Sequence, residues 1–115
     1  MRSWLRRRCL LPADEFFEKG HYFHLPNHRP FAFAGLWERW RSEDGDVCTC
    51  TLLTTEPNAE VRSVGHHRMP VLLTSKKDYQ RWLDPEIVER APLEELMRPK
   101  ADGELELYPA QKELF

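Results

Sequence analysis

The sequence predicts an α+β domain built on a mostly antiparallel sheet, and three observations carry that prediction. Short apolar and aromatic runs fill the first half, cut by proline or glycine at Pro12, Gly20, Pro26 and Pro30. Asp44-Gly45 lies between two longer runs, a strong hairpin signal. Helical spacing is concentrated after Ser75. Strands followed by helices, rather than strands alternating with helices, disfavour a parallel βαβ winding.

The elements follow in order. Residues 9–11 (Cys-Leu-Leu) read as a short strand stopped by Pro12, and residues 15–19 as a second one, broken by Gly20. Residues 21–25 favour a strand through their aromatics, and residues 26–30 form a turn. Residues 31–37 are almost wholly apolar, so they predict a central strand buried on both faces. A charged turn over 41–46 leads into a long threonine-rich strand over 47–55. Asn58 can cap a short helix reaching about Val64, and residues 71–73 read as a buried strand. Ser75 starts a helix over 76–83, with Tyr79, Trp82 and Leu83 at helical spacing. Asp84-Pro85 predicts a second helix, with Ile87, Val88 and Ala91 on its apolar face and Pro92 as its stop. Leu93, Leu96 and Met97 suggest one more turn, and Leu105 and Leu107 alternate with glutamates in a last strand.

At 115 residues the chain is one domain of ordinary soluble composition, 41% apolar and 31% charged. No run reaches the roughly 18 apolar residues of a membrane span, and no secretory signal pattern opens the chain, so a cytoplasmic location without a membrane partner is expected. Residues 1–84 carry 13 Lys/Arg against 11 Asp/Glu, and residues 85–115 carry 4 against 8. The basic residues gather at the N-terminus and near the paired histidines, which permits an anionic partner. Three cysteines, an odd count without a secretory signal pattern, argue against a disulfide framework, and Cys48 and Cys50, two apart in a strand, read as buried small hydrophobes. Trp4, Trp37, Trp40 and Trp82 could stack on bases, but most of them read as core residues at inward-facing strand or helix positions.

The chemistry candidates centre on His66-His67-Arg68, which precede Met69-Pro70 and a buried strand. Histidine can take or give a proton near neutral pH, and arginine presents a planar fork to phosphate or carboxylate. On the residues alone, a solvated or structural role is the favoured reading for two adjacent histidines on a loop, with a functional one open beside it. Glu18 ends an apolar strand, where it is either an edge glutamate facing water or an acid/base group tuned by desolvation. Glu38 follows Trp37 in the same way and reads as the structural partner of an arginine. A zinc site from Cys48, Cys50, His66 and His67 lacks ligand spacing on turns, and no phosphate loop, dinucleotide fingerprint or serine elbow occurs, so no metal or cofactor is expected.

Taken together, several segments resemble the SRAP family, the SOS-response-associated peptidase or abasic-site processing domain. They are Arg7-Arg8-Cys9-Leu10-Leu11-Pro12-Ala13-Asp14-Glu15-Phe16-Phe17-Glu18, Pro30-Phe31-Ala32-Phe33-Ala34-Gly35-Leu36-Trp37-Glu38 and Leu53-Thr54-Thr55-Glu56-Pro57-Asn58. His66-His67-Arg68-Met69-Pro70-Val71-Leu72-Leu73, Trp82-Leu83-Asp84-Pro85 and Leu107-Tyr108-Pro109 follow in the family's order. The resemblance implies a SRAP-like, mostly antiparallel sheet or barrel with a few short helices. It also implies a single-stranded DNA partner bearing abasic sites, processed by covalent DNA–protein crosslinking and β-elimination. By the same resemblance Glu18 and His66 are the catalytic acid/base residues, and Arg68 and His67 face the nucleic acid.

The chain also departs from the family pattern. Family members begin Met-Cys-Gly-Arg and trap the sugar aldehyde with the thiol and α-amine of that cysteine; this sequence begins Met1-Arg2-Ser3-Trp4. The family's Asn-Ala-Arg motif does not precede Arg7-Arg8, and Glu15 and Lys19 replace a glycine and a tryptophan. The resemblance therefore implies a monomeric, N-terminally incomplete copy of the domain. A non-catalytic remnant with weak or no single-stranded DNA binding is the alternative. Cys9 cannot replace the nucleophile, because its nitrogen lies in a peptide bond and its apolar neighbours keep the thiol protonated. Loss of the first strands would leave the strand over 31–37 poorly covered and the chain less soluble.

Overall fold

The computed structural model describes residues 6–111. Nine strands appear in it: β1 (Arg8–Ala13), β2 (Phe16–Glu18), β3 (His21–His24), β4 (Phe31–Ser42), β5 (Gly45–Leu52), β6 (Thr54–Thr55), β7 (Met69–Pro70), β8 (Leu72–Leu73) and β9 (Glu106–Pro109). Three helices, α1 (Ala59–Ser63), α2 (Lys76–Leu83) and α3 (Arg90–Leu96), and a 3-10 turn over Pro26–His28 complete the list. The strands form three antiparallel groups: β1-β4-β5 with β8 beside β4, β2-β3-β9, and β6-β7. The α+β, mostly antiparallel class holds, with open sheets and no closed barrel among the described residues.

β4 is the spine, because its alternate residues feed two separate cores. Phe31 and Phe33 join Phe16, Phe23, Leu25, Val61, Met69, Leu72 and Leu105 on one side. Ala34 joins Val71, Leu73, Trp82, Leu93 and Leu96 on the other. Residues 31–35 are therefore buried on both faces. This corrects the expectation of poor cover for residues 31–35, where the aromatic sheet β2-β3-β9 lies over one face and helices α2 and α3 over the other, whereas Leu36 is half-buried and Trp37 exposed. Ring contacts tie the first core together, with Phe16 stacked on Phe23 at 5.0 Å and edge-on to Phe33 at 6.3 Å.

Several elements match their local signals. The Asn58 side chain caps α1 by accepting from the Val61 N–H at 3.1 Å. Ser75 Oγ likewise accepts from the Asp78 N–H at 3.2 Å at the start of α2, which covers the expected 76–83. Trp82 is wholly buried, and its indole N–H donates to the Cys9 carbonyl at 3.0 Å, fastening α2 to β1.

Others differ. β1 runs through Pro12 to Ala13. It lies at the edge of its sheet, where a missing N–H costs no ladder bond. The strand expected over 47–55 breaks at Leu53, whose N–H turns to the Ala34 carbonyl at 3.0 Å. Asp84 does not start a helix; its carboxylate accepts from the Glu86 N–H at 2.9 Å in a local turn. The second helix begins at Arg90, with Pro92 inside its first turn rather than at its end. A first-turn proline is tolerated because the N–H it lacks has no intrahelical partner there. Cys48 and Cys50 are exposed, not buried, and so are Trp37 (38%) and Trp40 (60%), leaving Trp82 as the tryptophan in the core among the described residues. Trp4 lies outside the described residues.

Candidate active site

Glu18 stands at the end of β2, opposite His21 of β3. The two residues between them, Lys19 and Gly20, both have positive φ, at 50° and 78°. That pair of left-handed residues makes the tight turn whose twist suits a two-residue hairpin. Because β2 alternates, Glu18 shares the side of buried Phe16, whereas Phe17 between them faces out. The strand thus carries the carboxylate along the core-facing side to the place where the sheet ends.

His66 reaches the same place from the other side of the fold. Helix α1 closes with the Val64 and Gly65 N–H groups bonded back to Val61 and Arg62, and Gly65 turns at φ 87°. His66 follows at once, while Met69 three residues on is buried and accepts from the Asn58 N–H through sulfur at 3.3 Å. The loop is pinned at both ends, so the imidazole is held rather than free. Nε2 of His66 lies 3.4 Å from Oε2 of Glu18, with the side chains 22% and 32% exposed. Nδ1 of His66 is buried and has no hydrogen-bond partner among the described residues.

Residues 66–68 do not act alike. His67 is exposed, its ring tilted 5.5 Å from that of His66. Arg68 is exposed as a residue but its guanidinium is anchored: Nη2 donates to the Thr54 carbonyl at 2.7 Å and to Thr54 Oγ1 at 3.0 Å, and Nε donates to Oγ1 at 3.2 Å. Thr54 is paired through β6 with Pro70 of β7, so the ladder that follows the histidines also fixes the arginine. This anchor was not visible in the sequence, since no local pattern links Thr54 to a residue across a hairpin. One arginine of the basic N-terminal cluster also changes meaning. Arg8 is buried over the Trp82 ring and donates to the Asp84 carbonyl, which makes it a structural cation.

The arrangement offers a carboxylate and an imidazole at contact distance, half open to solvent, with a fixed cation in the same loop. That combination suits proton transfer on an anionic substrate. It holds no metal-like cluster: no group of three His, Cys, Asp or Glu side chains converges among the described residues. Cys9, in β1 opposite Gly35, is half-buried; burial pushes its thiol above the ordinary value, and nearby Cys50 adds to the rise. Residues 1–5, and with them Arg2 and the α-amine of Met1, lie outside the described part.

Comparison with known proteins gives this geometry a family. The model of the SOS response associated peptidase (SRAP) family matches residues 1–115. Abasic site processing protein YoqW of Bacillus subtilis is 35% identical over 112 residues, covering 89% of this chain and 49% of that protein. YoaM of the same organism, also an abasic site processing protein, is 34% identical over 117 residues, covering 93% and 51%. The chain thus spans about half the length of these curated relatives. Among solved structures, a protein from Bacteroides thetaiotaomicron superposes with a TM-score of 0.82 at 22% identity, over 95% of this chain and 51% of that one. One from Bordetella bronchiseptica gives 0.75 at 23%, over 96% and 58%. The superpositions agree with the fold, and the match of the family model over the whole sequence shows that this chain belongs to the SRAP family.

Proposed function

We propose that this chain takes part in abasic-site processing on single-stranded DNA, with Glu18 and His66 as the acid–base pair. The reading rests on the 3.4 Å approach of His66 Nε2 to Glu18 Oε2, made between segments far apart in sequence. An abasic deoxyribose is mostly a closed ring with a hydroxyl on C1′. Opening it requires a base to take the hydroxyl proton as the C1′–O4′ bond breaks, and an acid to protonate the departing ring oxygen. A carboxyl group and an imidazole facing one another offer a proton acceptor and a proton donor for the two transfers. β-Elimination then needs a proton taken from C2′, after which the C3′–O bond breaks and the phosphate leaves as its anion. Arg68, fixed by Thr54, is the group proposed to hold a backbone phosphate, with exposed His67 beside it.

Crosslinking to the opened sugar is the other part of the family reaction, and it calls for a thiol and a free amine on one residue. Cys9, Cys48 and Cys50 each have their nitrogen in a peptide bond. Cys9 is also half-buried with its thiol held protonated. A second reading is non-covalent binding of single-stranded DNA without chemistry; the half-buried Cys9 thiol favours it over crosslinking through that cysteine. An abasic single-stranded oligonucleotide run on a denaturing gel separates the two. Cleaved DNA or a shifted covalent band, lost in Glu18→Ala or His66→Ala, supports the processing reading. Intact DNA together with salt-sensitive binding in solution supports the second.

A further inference from the structure

We propose that His21 is a further substrate-binding residue of this site, its Nε2 holding a backbone phosphate of the DNA strand on the Glu18 side while Arg68 holds another on the His66 side. The inference rests on the abasic-DNA reading above and adds to it a residue that no motif of the sequence singles out. Its placement comes from the sheet. Glu18 and His21 are register partners at the closed end of the β2–β3 hairpin, as Phe16 and Phe23 are two residues back. Partners across an antiparallel ladder leave it on the same side, with Cβ atoms about 5 Å apart. His21 thus shares the side of Glu18 and of the two buried rings, whereas Phe17 and Tyr22 face the other way. Glu18 in turn meets His66 at 3.4 Å, so His21 stands beside the proton-transfer pair.

The ring is oriented by its own turn. His21 Nδ1 lies 3.0 Å from the Lys19 carbonyl oxygen, which can only accept, so Nδ1 carries the hydrogen. The turn is itself tied down, since the Gly20 carbonyl accepts from the Ala110 N–H at 2.9 Å just past β9. Nε2 makes no hydrogen bond among the described residues, and the residue is half-buried rather than covered. His21 faces Glu18 from β2, exposed Lys19 from the turn and Pro109 from β9, the last without charge. The imidazole is held in one place with one nitrogen to offer.

Charge decides the ligand. With the Nδ1 hydrogen given to the turn, Nε2 of the neutral ring only accepts; once a proton is added it becomes a charged donor, which a phosphate oxygen matches. A phosphodiester brought to Glu18 meets a carboxylate of its own sign. Arg68 offsets this from the histidine loop, and the β2–β3 hairpin offers Lys19 and His21. Lys19 is an exposed, flexible point charge at the tip, whereas His21 is the cation with a fixed direction on the side of Glu18. Each of the two segments that bring an acid–base group to the site then also brings a phosphate donor.

Fluorescence anisotropy with a single-stranded oligonucleotide carrying a tetrahydrofuran abasic analogue, whose ring cannot open, measures binding apart from chemistry. His21→Ala should lose about three- to tenfold in affinity at about pH 6 and little at about pH 8, where an ordinary histidine is neutral. His21→Arg, a permanent cation, should keep the affinity at both. Uncharged methylphosphonates on either side of the analogue should bring the parent chain and His21→Ala to the same affinity, because the contact is then gone from both. Equal binding of the phosphate strand by parent and His21→Ala at about pH 6 would overturn the inference. A loss in His21→Ala that persists undiminished on the methylphosphonate strand would overturn it too. A genuine abasic strand run alongside keeps the two readings apart. Cleavage by the parent chain with either of those results removes His21 alone, whereas a parent chain that neither binds nor cleaves removes the abasic-DNA reading and His21 with it.

Discussion

The guanidinium of Arg68 spends two nitrogens on Thr54, one bond going to the backbone carbonyl and two to the hydroxyl. An arginine held this way presents its charge from a fixed place, at little further entropic cost when a phosphate arrives. Thr54→Val removes the hydroxyl but keeps the carbonyl. It should weaken binding to single-stranded DNA a few-fold, while Arg68→Ala weakens it more and lowers the slope of log affinity against log salt by about one. Fluorescence anisotropy over a salt series checks both. An unchanged slope in Arg68→Ala would remove the arginine from the phosphate contact.

Gly35 sits where β1, β4 and β5 meet, with no room for a side chain. A Cβ there would stand 2.6 Å from Leu11 Cδ1, 3.1 Å from Cys9 Sγ and 3.1 Å from the Thr51 carbonyl oxygen. Leu11 can turn aside, but the backbone oxygen cannot move without shifting β5. Gly35→Ala should therefore cost about 1–3 kcal/mol, the usual range for overpacking. Denaturant unfolding of the two proteins measures it.

The cysteines should differ in reactivity. Burial raises the Cys9 thiol, with Cys50 adding to the rise, so Cys9 is protonated well past neutral pH. Because its thiol pKa is higher in the folded than in the unfolded chain, the associated stability is present below the ordinary thiol range and is lost as pH rises through the folded value. Alkylation followed by mass spectrometry should label the exposed Cys48 and Cys50 first. Labelling of Cys9 should lag and accelerate only at alkaline pH. Fast labelling of Cys9 at pH 7 would contradict its assignment as an inert strand residue.

Elements with a local chemical cause were the legible ones. Ser75 and Asn58 announce helices because a side-chain oxygen before an apolar stretch satisfies orphan N–H groups, and both do so here. The all-apolar run over 31–35 announces a central strand because only cover on two faces makes it stable. What could not be read depended on which surfaces end up covered. Trp37, Trp40, Cys48 and Cys50 are as apolar in composition as core residues, yet they lie beyond the point where β4 leaves the two cores. Pro92 misled in another way, since a proline is allowed at both boundaries of a helix and sequence alone does not say which. In the site, His66 and Glu18 are legible as candidates from their places beside apolar strands, and the family motifs give them their roles. Their approach to one another is tertiary, as is the anchoring of Arg68 by Thr54.

The central claim is that Glu18 and His66 work as one proton-transfer unit, and a double-mutant cycle on strand scission tests it most directly. The rate of cleavage of an abasic single-stranded oligonucleotide is measured for the parent chain, Glu18→Gln, His66→Ala and the double variant under single-turnover conditions. The account predicts a loss of about 10²–10⁴-fold in each single variant, the usual worth of a positioned acid or base. It also predicts little further loss in the double variant, because groups acting as a unit are non-additive. Single variants that cleave as fast as the parent chain, or losses that multiply in the double variant, would contradict it.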